Sequence, residues 1–467
     1  MKNLQEQMFH ELETKSDLAD AHSYAKTYID NVFNRNVYPS KEALDNLAHF
    51  EEELPKQRGS SAQILEKLNT QGGPATVATL GGRYFGFVNG SSLPITLAAK
   101  SLSTVWDQAP AMQVLSPIGS KLESVVEQWL RQLLDLANNT AAGFVSGTSL
   151  ANFCGLAAGR FHQLEKLGWN VNENGFNGSP KLRIITGDQA HSTVIKAISL
   201  LGFGYKNIEW VPTDDQGRII PSEIPELDDS SILILQAGNV NTGSFDNFET
   251  ICRVAAEKGA WIHIDGAFGL WARAIQNLSY LTKGMEHAHS WAVDAHKTLN
   301  TPYDSGIILC KHPEALKSAL HMTGSYIVKG EERDGMFYTP EMSRRARIIE
   351  LWAALKYLGK EGVSELVETM HHRATQFKNE IQKVDGFEVL NDVVFNQVLV
   401  QCETDELTQT TLFNIQQDRV CWVGGSQWKN RKVIRVSICS WATTEQDILK
   451  SVASFKQSLS KAKKQLS

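Results

Sequence analysis

The sequence lacks the marks of several broad classes of protein. No apolar run approaches the about 18 residues that a helix needs to cross a bilayer. The polar, acidic N-terminus, MKNLQEQMFHELETKSD, has the pattern of neither a signal peptide nor a transit peptide. Lysine and arginine (46) are outnumbered by aspartate and glutamate (52), so the net charge of −6 gives no support for a nucleic-acid partner.

Cysteine is also scarce. The six cysteines form no CxxC pair and lie mostly in apolar or mixed runs. We therefore expect buried free thiols in a reducing compartment, rather than disulfides or a zinc site. Together these absences predict a cytoplasmic protein that has no membrane partner.

The chain is long enough for more than one hydrophobic core. Its 467 residues, 42% apolar and 21% charged, predict one large globular domain with smaller ones. Residues 1–80 show helical and turn patterns without strands. Residues 81–350 are predicted to form the large domain, and residues 351–467 a smaller α+β domain.

Short apolar strands alternate with helices from residue 142 onward. The strand patterns are GFVSG, LRIITG, SILILQAG, AWIHIDGAFG, SWAVDAHK and SGIILC. Strands that are apolar on both faces and alternate with helices predict an α/β fold with a mostly parallel, doubly wound sheet. Ligands bind beyond the carboxyl ends of such strands. Ser146, His191, Asp265 and Lys297 are all expected there.

Lys297 lies in SWAVDAHKTLNTPYDSG, directly after a buried strand. Desolvation at such a place favours the neutral, nucleophilic amine that condensation with an aldehyde requires. A lysine that extends to solvent at the sheet edge is the alternative.

Asp265 ends the strand pattern WIHID. A buried carboxylate needs a partner, and a protonated pyridine nitrogen is a suitable one. Such a charge-assisted bond contributes on the order of 1.5–3 kcal/mol. It also keeps the ring protonated, so that the ring can withdraw electrons from an attached carbanion. Capping of the following turn is the alternative.

Two further segments offer an anion site and an imidazole. Bare N–H groups and hydroxyls at the start of a helix can bind an anion, and Ser146, Gly147, Thr148 and Ser149 provide such groups here. A capped helix without a ligand is the alternative. The segment has neither the P-loop ending nor a GxGxxG pattern, which disfavours a dinucleotide. His191 follows another strand and is suited to stack on a flat ring or to bond to backbone. Combined with Lys297 and Asp265, these groups match pyridoxal phosphate.

Motifs along nearly the whole chain resemble those of the group II pyridoxal-phosphate decarboxylases, the family of aromatic amino-acid, glutamate and diaminobutyrate decarboxylases. The resemblance is carried by GGRYFGFVNGSSLP, SGTSLANFCGLAAGR, HIDGAFG, DAHKTLNTPYDSG and IRVSICSW. It implies a fold-type-I enzyme that uses pyridoxal phosphate to convert an L-amino acid to the amine and CO₂. It also implies a homodimer with active sites at the subunit interface. Residues 1–80 would then wrap around the partner, and Phe85 and Phe87 would line the neighbour's pocket.

The resemblance also implies roles for individual residues. Lys297 would carry the cofactor as the internal aldimine, and Asp265 would pair with the ring nitrogen. His191 and Ala267 would lie on opposite faces of the ring. The residues expected around the phosphate are Gly147, Thr148, Ser149 and His296.

The chain departs from its relatives at three places. Several relatives have a threonine run before the FD pair, and one of its positions donates a hydrogen bond to the ring oxygen or the substrate carboxylate. Val240 stands at that position and has no side-chain donor. Asn239 or Asn241 would have to provide the hydrogen bond instead. Asp294 stands where some relatives have asparagine near the phosphate, so its carboxylate must be paired or point away. The family's catalytic loop, expected near YIVKGEERDGMFYTPEMS, is shortened, and Tyr338 and Tyr326 compete for the role of its proton-donating tyrosine.

The substrate is left open by the sequence. Arg435, in IRVSIC, is a candidate for binding a substrate carboxylate, with a structural strand arginine as the alternative. The aromatic residues near 84–87 and 338 slightly favour an apolar or aromatic substrate. The departures above also keep two other possibilities open. One is transamination or carbon–carbon bond cleavage with the same cofactor, and the other is a non-catalytic relative that binds it.

Overall fold

A computed structural model describes residues 3–320 and 332–467 of the chain. Its larger sheet has seven strands: β1 Ala141–Val145, β2 Arg183–Gly187, β3 Ile208–Val211, β4 Ser231–Gln236, β5 Trp261–Asp265, β6 Ser290–Asp294 and β7 Gly306–Cys310. Their spatial order is β1-β7-β6-β5-β4-β2-β3. The neighbours from β3 to β6 are parallel, whereas β7 is antiparallel to both β6 and β1. The predicted mostly parallel α/β sheet is confirmed.

The antiparallel strand β7 has a local cause. Residues 295–305, which join β6 to β7, contain no crossover helix, so the chain turns back directly beside β6. Lys297 lies in this connection. The connection is closed by backbone bonds from Ala295 and His296 to the Ser305 carbonyl and from Thr301 to the Ala295 carbonyl.

The described residues also form helices before, between and after the strands. They are α1 Leu4–Thr14, α2 Ser16–Val32, α3 Lys41–Asp45, α4 Ser61–Lys67, α5 Pro94–Trp106, α6 Pro117–Leu133, α7 Thr148–Lys166, α8 Val171–Asn174, α9 Ser192–Leu200, α10 Phe248–Glu257, α11 Pro313–Leu320, α12 Ile348–Ile381, α13 Asp405–Asp418 and α14 Glu445–Leu466. Shorter helical turns lie at Asn46–Phe50, Leu68–Gly72, Gly73–Ala75, Tyr205–Asn207, Pro221–Glu223, Gly269–Ala274, Ser279–Thr282, Met285–His287 and Gly335–Phe337. Within the described ranges, no helix has the length and apolar character needed to cross a membrane.

The sheet is buried on both faces. Apolar residues of α7, α9 and α11 pack on one face, and those of α6, α10 and α12 pack on the other. This two-sided burial explains why each of β1, β5, β6 and β7 is buried along its whole length. All six cysteines are buried and unpaired, as predicted.

A second sheet lies in the C-terminal part of the chain. Its strands are β8 Glu388–Val389, β9 Gln397–Gln401, β10 Gly424–Trp428 and β11 Arg431–Ser437, in the antiparallel order β10-β11-β9-β8. Helices α12, α13 and α14 pack together beside it. In α12 the regular helix is broken at Gly359, whose φ of 60° is left-handed. The sequence placed the boundary between the large and small domains at residues 350 and 351, and this division stays a prediction.

Candidate active site

The carboxyl ends of β5 and β6 lie side by side. Asp265 of β5 is in register with Ala292 of β6, and Asp294 N donates to the Ala267 carbonyl at 2.9 Å. The start of α7 and the 295–305 connection border the same edge, so the residues predicted from separate motifs come to one place.

His191 is the centre of this group. It caps the N-terminus of α9, and its Nδ1 lies 2.7 Å from Thr193 Oγ1. Burial is the main cause that lowers its pKa. Four charged side chains also act on that pKa: Asp265 and Asp294 raise it, and Lys297 and Arg435 lower it. The His191 imidazole thus lies within electrostatic range of two carboxylates, an amine and a guanidinium.

Asp265 is nearly buried, with 5% of its surface exposed. Its Oδ1 accepts a bond from Ala267 N and its Oδ2 one from Asn152 Nδ2, both at 3.2 Å. Each carboxylate oxygen can accept more than one bond, so both keep capacity for a cationic partner. Two hydrogen bonds therefore hold the carboxylate in place, and its oxygens can still accept further hydrogen bonds.

Asp294, whose carboxylate was expected to be paired or to point away from the phosphate, is paired. Its Oδ1 accepts from Thr148 N at 2.7 Å and its Oδ2 from Thr148 Oγ1 at 2.8 Å. Lys297 Nζ lies 3.0 Å from Oδ2, and His296 Nε2 lies 3.5 Å from the same atom. The carboxylate thus joins the first residue of α7 to the lysine connection.

The remaining predicted phosphate residues lie beside this carboxylate. A Cβ on Gly147 would lie 3.2 Å from His296 Cε1, so only glycine leaves this backbone edge bare. Ser149 is exposed in the first turn of α7. His296 accepts a bond from Ser305 N at 3.0 Å and packs on the Tyr303 ring at 4.3 Å, and burial lowers its pKa.

Asn239 is not directed toward these groups. Its Oδ1 accepts from Asn241 N and Thr242 N, and its Nδ2 faces Gln236 Oε1 at 3.4 Å. The Asn241 side chain in turn accepts from Ser426 Oγ at 2.7 Å. The Asn239 side chain therefore shapes the turn after β4 through Oδ1, and its Nδ2 also faces the Gln189 carbonyl at 3.5 Å. The Asn241 side chain contacts β10 instead. No hydrogen bond joins Asn239 to His191, Asp265 or Lys297 among the described residues.

Tyr338 also lies elsewhere within this chain. The Arg333 guanidinium lies 3.8 Å from the centre of its ring, and Lys317 Nζ lies 5.6 Å from it. Its carbonyl lies against Gly143, in the middle of β1 rather than at the carboxyl end. A proton-donating role for Tyr338 would need a partner subunit or a different arrangement. Tyr326 lies outside the described residues.

Arg435 reaches the group from β11 of the second sheet. Its Nη1 donates to the Val240 carbonyl at 3.3 Å, whereas its buried Nε has no hydrogen-bond partner among the described residues. Burial lowers its pKa. A buried donor without a partner is costly, so this guanidinium is suited to bind an anion.

Comparisons with known proteins identify the family of the chain. A family model described as the pyridoxal-dependent decarboxylase conserved domain matches residues 45–402. The chain belongs to the pyridoxal-dependent decarboxylase family. The predictions of the family, of a carboxy-lyase and of pyridoxal phosphate as cofactor are therefore confirmed.

Individual relatives of this decarboxylase are distant in sequence. The chain is 24% identical over 447 residues to the aromatic-L-amino-acid decarboxylase of Bacillus atrophaeus, covering 90% of this chain and 91% of that protein. It is 24% identical over 397 residues to the phenylacetaldehyde synthase of Petunia hybrida, covering 79% and 77%.

Two solved structures are similar to the decarboxylase over almost the whole chain. Oryza sativa TDC with pyridoxal phosphate and tryptamine has a TM-score of 0.88 at 19% identity, covering 96% of this chain and 98% of that one. Mouse CSAD in its apo form has a TM-score of 0.87 at 20% identity, covering 96% and 99%. At such identities these likenesses show the fold alone.

The residues of this decarboxylase fit pyridoxal phosphate chemically. Lys297 provides an amine, Asp265 a carboxylate with spare acceptor capacity, and Gly147 a bare backbone edge. When bound, the cofactor would supply a protonated ring that delocalises the electron pair left on the substrate α-carbon when CO₂ leaves.

Three buried side chains near the site were not predicted from the sequence. Asn152 and His263 lie behind Asp265; Asn152 interrupts the apolar run LANFCGLAAG within α7, and His263 lies between two isoleucines in β5. Asn300 adopts a left-handed φ of 54° and donates from Nδ2 to the Lys297 and Cys439 carbonyls, both at 2.8 Å. Polar residues inside apolar runs were the signal available for the first two.

Proposed function

We propose that this decarboxylase removes CO₂ from an L-amino acid and releases the amine. In this proposal Lys297 holds the cofactor through Nζ and Asp265 pairs with its ring nitrogen. His191 and Ala267 pack on the two ring faces. The phosphate is bound by Gly147, Thr148, Ser149 and His296. The observation that carries the proposal is the shared edge of β5 and β6, where Asp265 is in register with Ala292 and Lys297 Nζ lies 3.0 Å from Asp294 Oδ2.

Arg435 is the proposed group for binding a substrate carboxylate. Its Nε needs an acceptor, and its charge lies close enough to Tyr84 to affect the pKa of that phenol, which burial raises. A guanidinium can bind a carboxylate through two parallel bonds and so orient the bond that breaks. Asn239 keeps no donor free for this task, because its amide shapes the turn after β4.

Three stacked aromatic rings near Arg435 support the proposal that the substrate has an apolar or aromatic side chain. The Tyr84 and Trp422 rings stack at 5.3 Å with an interplanar angle of 16°, and Phe87 stacks on Trp422 at 5.4 Å and 25°. Phe87 is 66% exposed, so it can still receive a contact. Flat rings of this kind favour offset stacking with an aromatic group.

The protein is proposed to act as a cytoplasmic homodimer. Helix α1 has no buried residue, and its apolar side chains Leu4, Met8, Phe9 and Leu12 are all more than half exposed. Val105 and Val114 are likewise exposed, at 67% and 74%. A second copy of the chain that covers these side chains would remove a large apolar surface from water. Light scattering of the wild type and of Val105→Glu would test this, and a monomeric wild type would contradict it.

The test of the reaction is CO₂ release by the purified protein with pyridoxal phosphate and a panel of L-amino acids. One CO₂ and one amine should form per amino acid consumed. Lys297→Ala should lose the visible absorption band of the lysine-bound cofactor, whereas the exposed control Lys283→Ala should keep it. Accumulation of pyridoxamine phosphate with a keto acid would indicate transamination instead. Bound cofactor without any turnover would favour a non-catalytic protein.

A further inference from the structure

A line of four hydrogen bonds runs through the interior behind Asp265. Trp261 Nε1 donates to Ser290 Oγ at 3.1 Å, and that oxygen lies 2.8 Å from His263 Nδ1. His263 Nε2 lies 2.9 Å from Asn152 Oδ1, and Asn152 Nδ2 donates to Asp265 Oδ2 at 3.2 Å. The four residues that lead to Asp265 have relative exposures of 0%. We call this series the relay.

The ends of the relay determine its direction. An indole N–H can only donate, and a carboxylate can only accept. Ser290 Oγ accepts from Trp261, and among the described residues its own hydrogen has no acceptor other than His263 Nδ1. The proton of the neutral imidazole therefore lies on Nε2. That N–H donates to the Asn152 carbonyl oxygen and turns the amide nitrogen toward Asp265. Burial lowers the pKa of His263 to about 3, so the ring stays neutral at physiological pH.

The direction of the relay has a consequence for Asp265. A proton on Oδ2 would face the amide hydrogens of Asn152, so this oxygen is held as an acceptor. Hydrogen bonds donated to a carboxylate favour its charged form and also fix its orientation. Because Ala267 N occupies Oδ1, both oxygens are oriented by neutral donors. A charged, oriented carboxylate is what pairing with a protonated ring nitrogen requires.

The packing of α7 makes the relay possible. A Cβ on Gly155 would lie 2.5 Å from His263 Cε1 and 2.6 Å from His263 Nδ1. Glycine at this position lets the helix lie directly against the imidazole, one turn beyond Asn152. The helix that presents Thr148 to Asp294 therefore also presents Asn152 to Asp265.

We propose that Asn152, His263 and Ser290 are positioning residues that hold the Asp265 carboxylate as an acceptor aimed at the cofactor's ring nitrogen. This inference rests on the proposed role of Asp265. It adds that the role depends on three buried residues that lie outside the group around His191.

The first test needs no cofactor. In protein labelled with ¹⁵N-histidine, the ring nitrogens of His263, assigned with His263→Gln, should report a neutral ring with the proton on Nε2 at both pH 7 and pH 5. Ser290→Ala should disturb this tautomer, because it removes the hydroxyl that donates to Nδ1. A proton on Nδ1 in the wild type, or a ring that titrates near pH 6.5, would overturn the relay.

The second test measures the effect on Asp265. Asn152→Leu should weaken pyridoxal-phosphate binding by about tenfold, the size expected for a bond to a charged group. It should also shift the pH dependence of the visible absorption band and lower kcat more than it raises KM. In an Asp265→Asn background the same change should have little further effect. Ser290→Ala provides the same comparison if Asn152→Leu does not fold.

A matched control separates positioning from general stability. Asn396 is another fully buried asparagine, and its Nδ2 donates to the Ile438 carbonyl at 3.1 Å. Asn396→Leu should lower the unfolding temperature without shifting the pH dependence of the absorption band. If Asn152→Leu behaves like Asn396→Leu, the proposed positioning role is wrong. If the wild type neither binds the cofactor nor releases CO₂, the proposed function fails while the tautomer measurement still decides whether the relay exists.

Discussion

Lys297 Nζ and Asp294 Oδ2 lie 3.0 Å apart and form an ion pair at the end of β6. The same carboxylate accepts both the backbone N–H and the hydroxyl of Thr148 at the start of α7. One aspartate therefore neutralises the lysine amine and occupies a helix N-terminus, where a bound phosphate would also be stabilised.

Asp294→Asn should consequently have opposite effects on the two forms of the protein. Without cofactor, the Lys297 ammonium loses its charged partner, and we expect the free energy of unfolding to fall by about 1.5–3 kcal/mol. With pyridoxal phosphate, the loss of a negative charge near the phosphate should tighten binding. Thermal unfolding with and without cofactor, together with a cofactor titration, measures both effects.

The control for this prediction is Asp246→Asn. Asp246 is a buried carboxylate that accepts from Ile219 N and Gln236 N, both at 2.7 Å. Its substitution should lower stability equally in the two forms. If Asp294→Asn does the same, the ion pair has no bearing on cofactor binding.

Arg435→Met should raise KM for the amino-acid substrate by about ten- to a hundredfold, the range expected when a charged hydrogen bond is lost. The visible absorption band should remain, because Arg435 is proposed to bind substrate rather than cofactor. Steady-state kinetics measure the change. The matched control, Arg431→Met on the same strand, alters an exposed arginine and should leave KM unchanged. Equal KM values for wild type and Arg435→Met would exclude a carboxylate-binding role.

Stability should decrease as the pH falls below about 6.5, because three histidines pack around Trp261 at the other end of the strands. Ring centres of His162 and His312 are 5.0 Å apart, and those of His289 and His312 are 5.4 Å apart. Burial lowers the pKa of His289 to about 3 and that of His312 to about 4. The unfolded chain then binds protons that the native state does not, which favours unfolding as the pH decreases toward those values.

Urea unfolding at pH 7 and pH 5 would measure this dependence, which should amount to a few kcal/mol. His289→Gln should reduce the difference between the two pH values, because it removes one of the titrating groups. His49, on the surface, provides the control, and His49→Gln should leave the difference unchanged. Equal stability at both pH values would contradict the prediction.

Glu123→Gln should lower the free energy of unfolding by about 3–5 kcal/mol, as expected when one partner of a buried ion pair is removed. Glu123 is fully buried, and its two oxygens lie 2.6 Å from Arg344 Nη2 and 3.2 Å from Arg333 Nε. Lys121→Gln, two residues earlier in α6 and in the exposed pair with Glu332, should change stability by less than about 1 kcal/mol. Chemical denaturation of the two variants measures both changes in the free energy of unfolding. Similar decreases for Glu123→Gln and Lys121→Gln would show that burial does not determine how much an ion pair contributes.

Much of the architecture could be anticipated because the relevant signals are local. Apolar strands such as SWAVD alternate with helical patterns, and burial on both faces permits few other arrangements. The group of Lys297, Asp265 and His191 followed from the rule that parallel strands end at one edge. The antiparallel direction of β7 did not follow, because it depends on how residues 295–305 fold back.

The side-chain partners were harder to anticipate. Asp294 was recognised as a charge that needed pairing, but its partners lie on α7 and in the next connection. Asn239 was expected near the cofactor, yet its amide is used within its own turn. For such short polar side chains, a rotation about one or two bonds exchanges a site contact for a backbone contact.

The sequence alone was sufficient to predict the kind of sheet, the edge of that sheet where the candidate site lies and the residue types at that edge. These features depend on the periodicity of apolar residues or on neighbours in the sequence. The relay from Trp261 to Asp265 and the approach of Arg435 from the second sheet became clear only from the tertiary structure. Asn152 and Asp265 are 113 positions apart. Hydrogen bonds between such distant positions arise from close packing of whole elements, which no local pattern encodes.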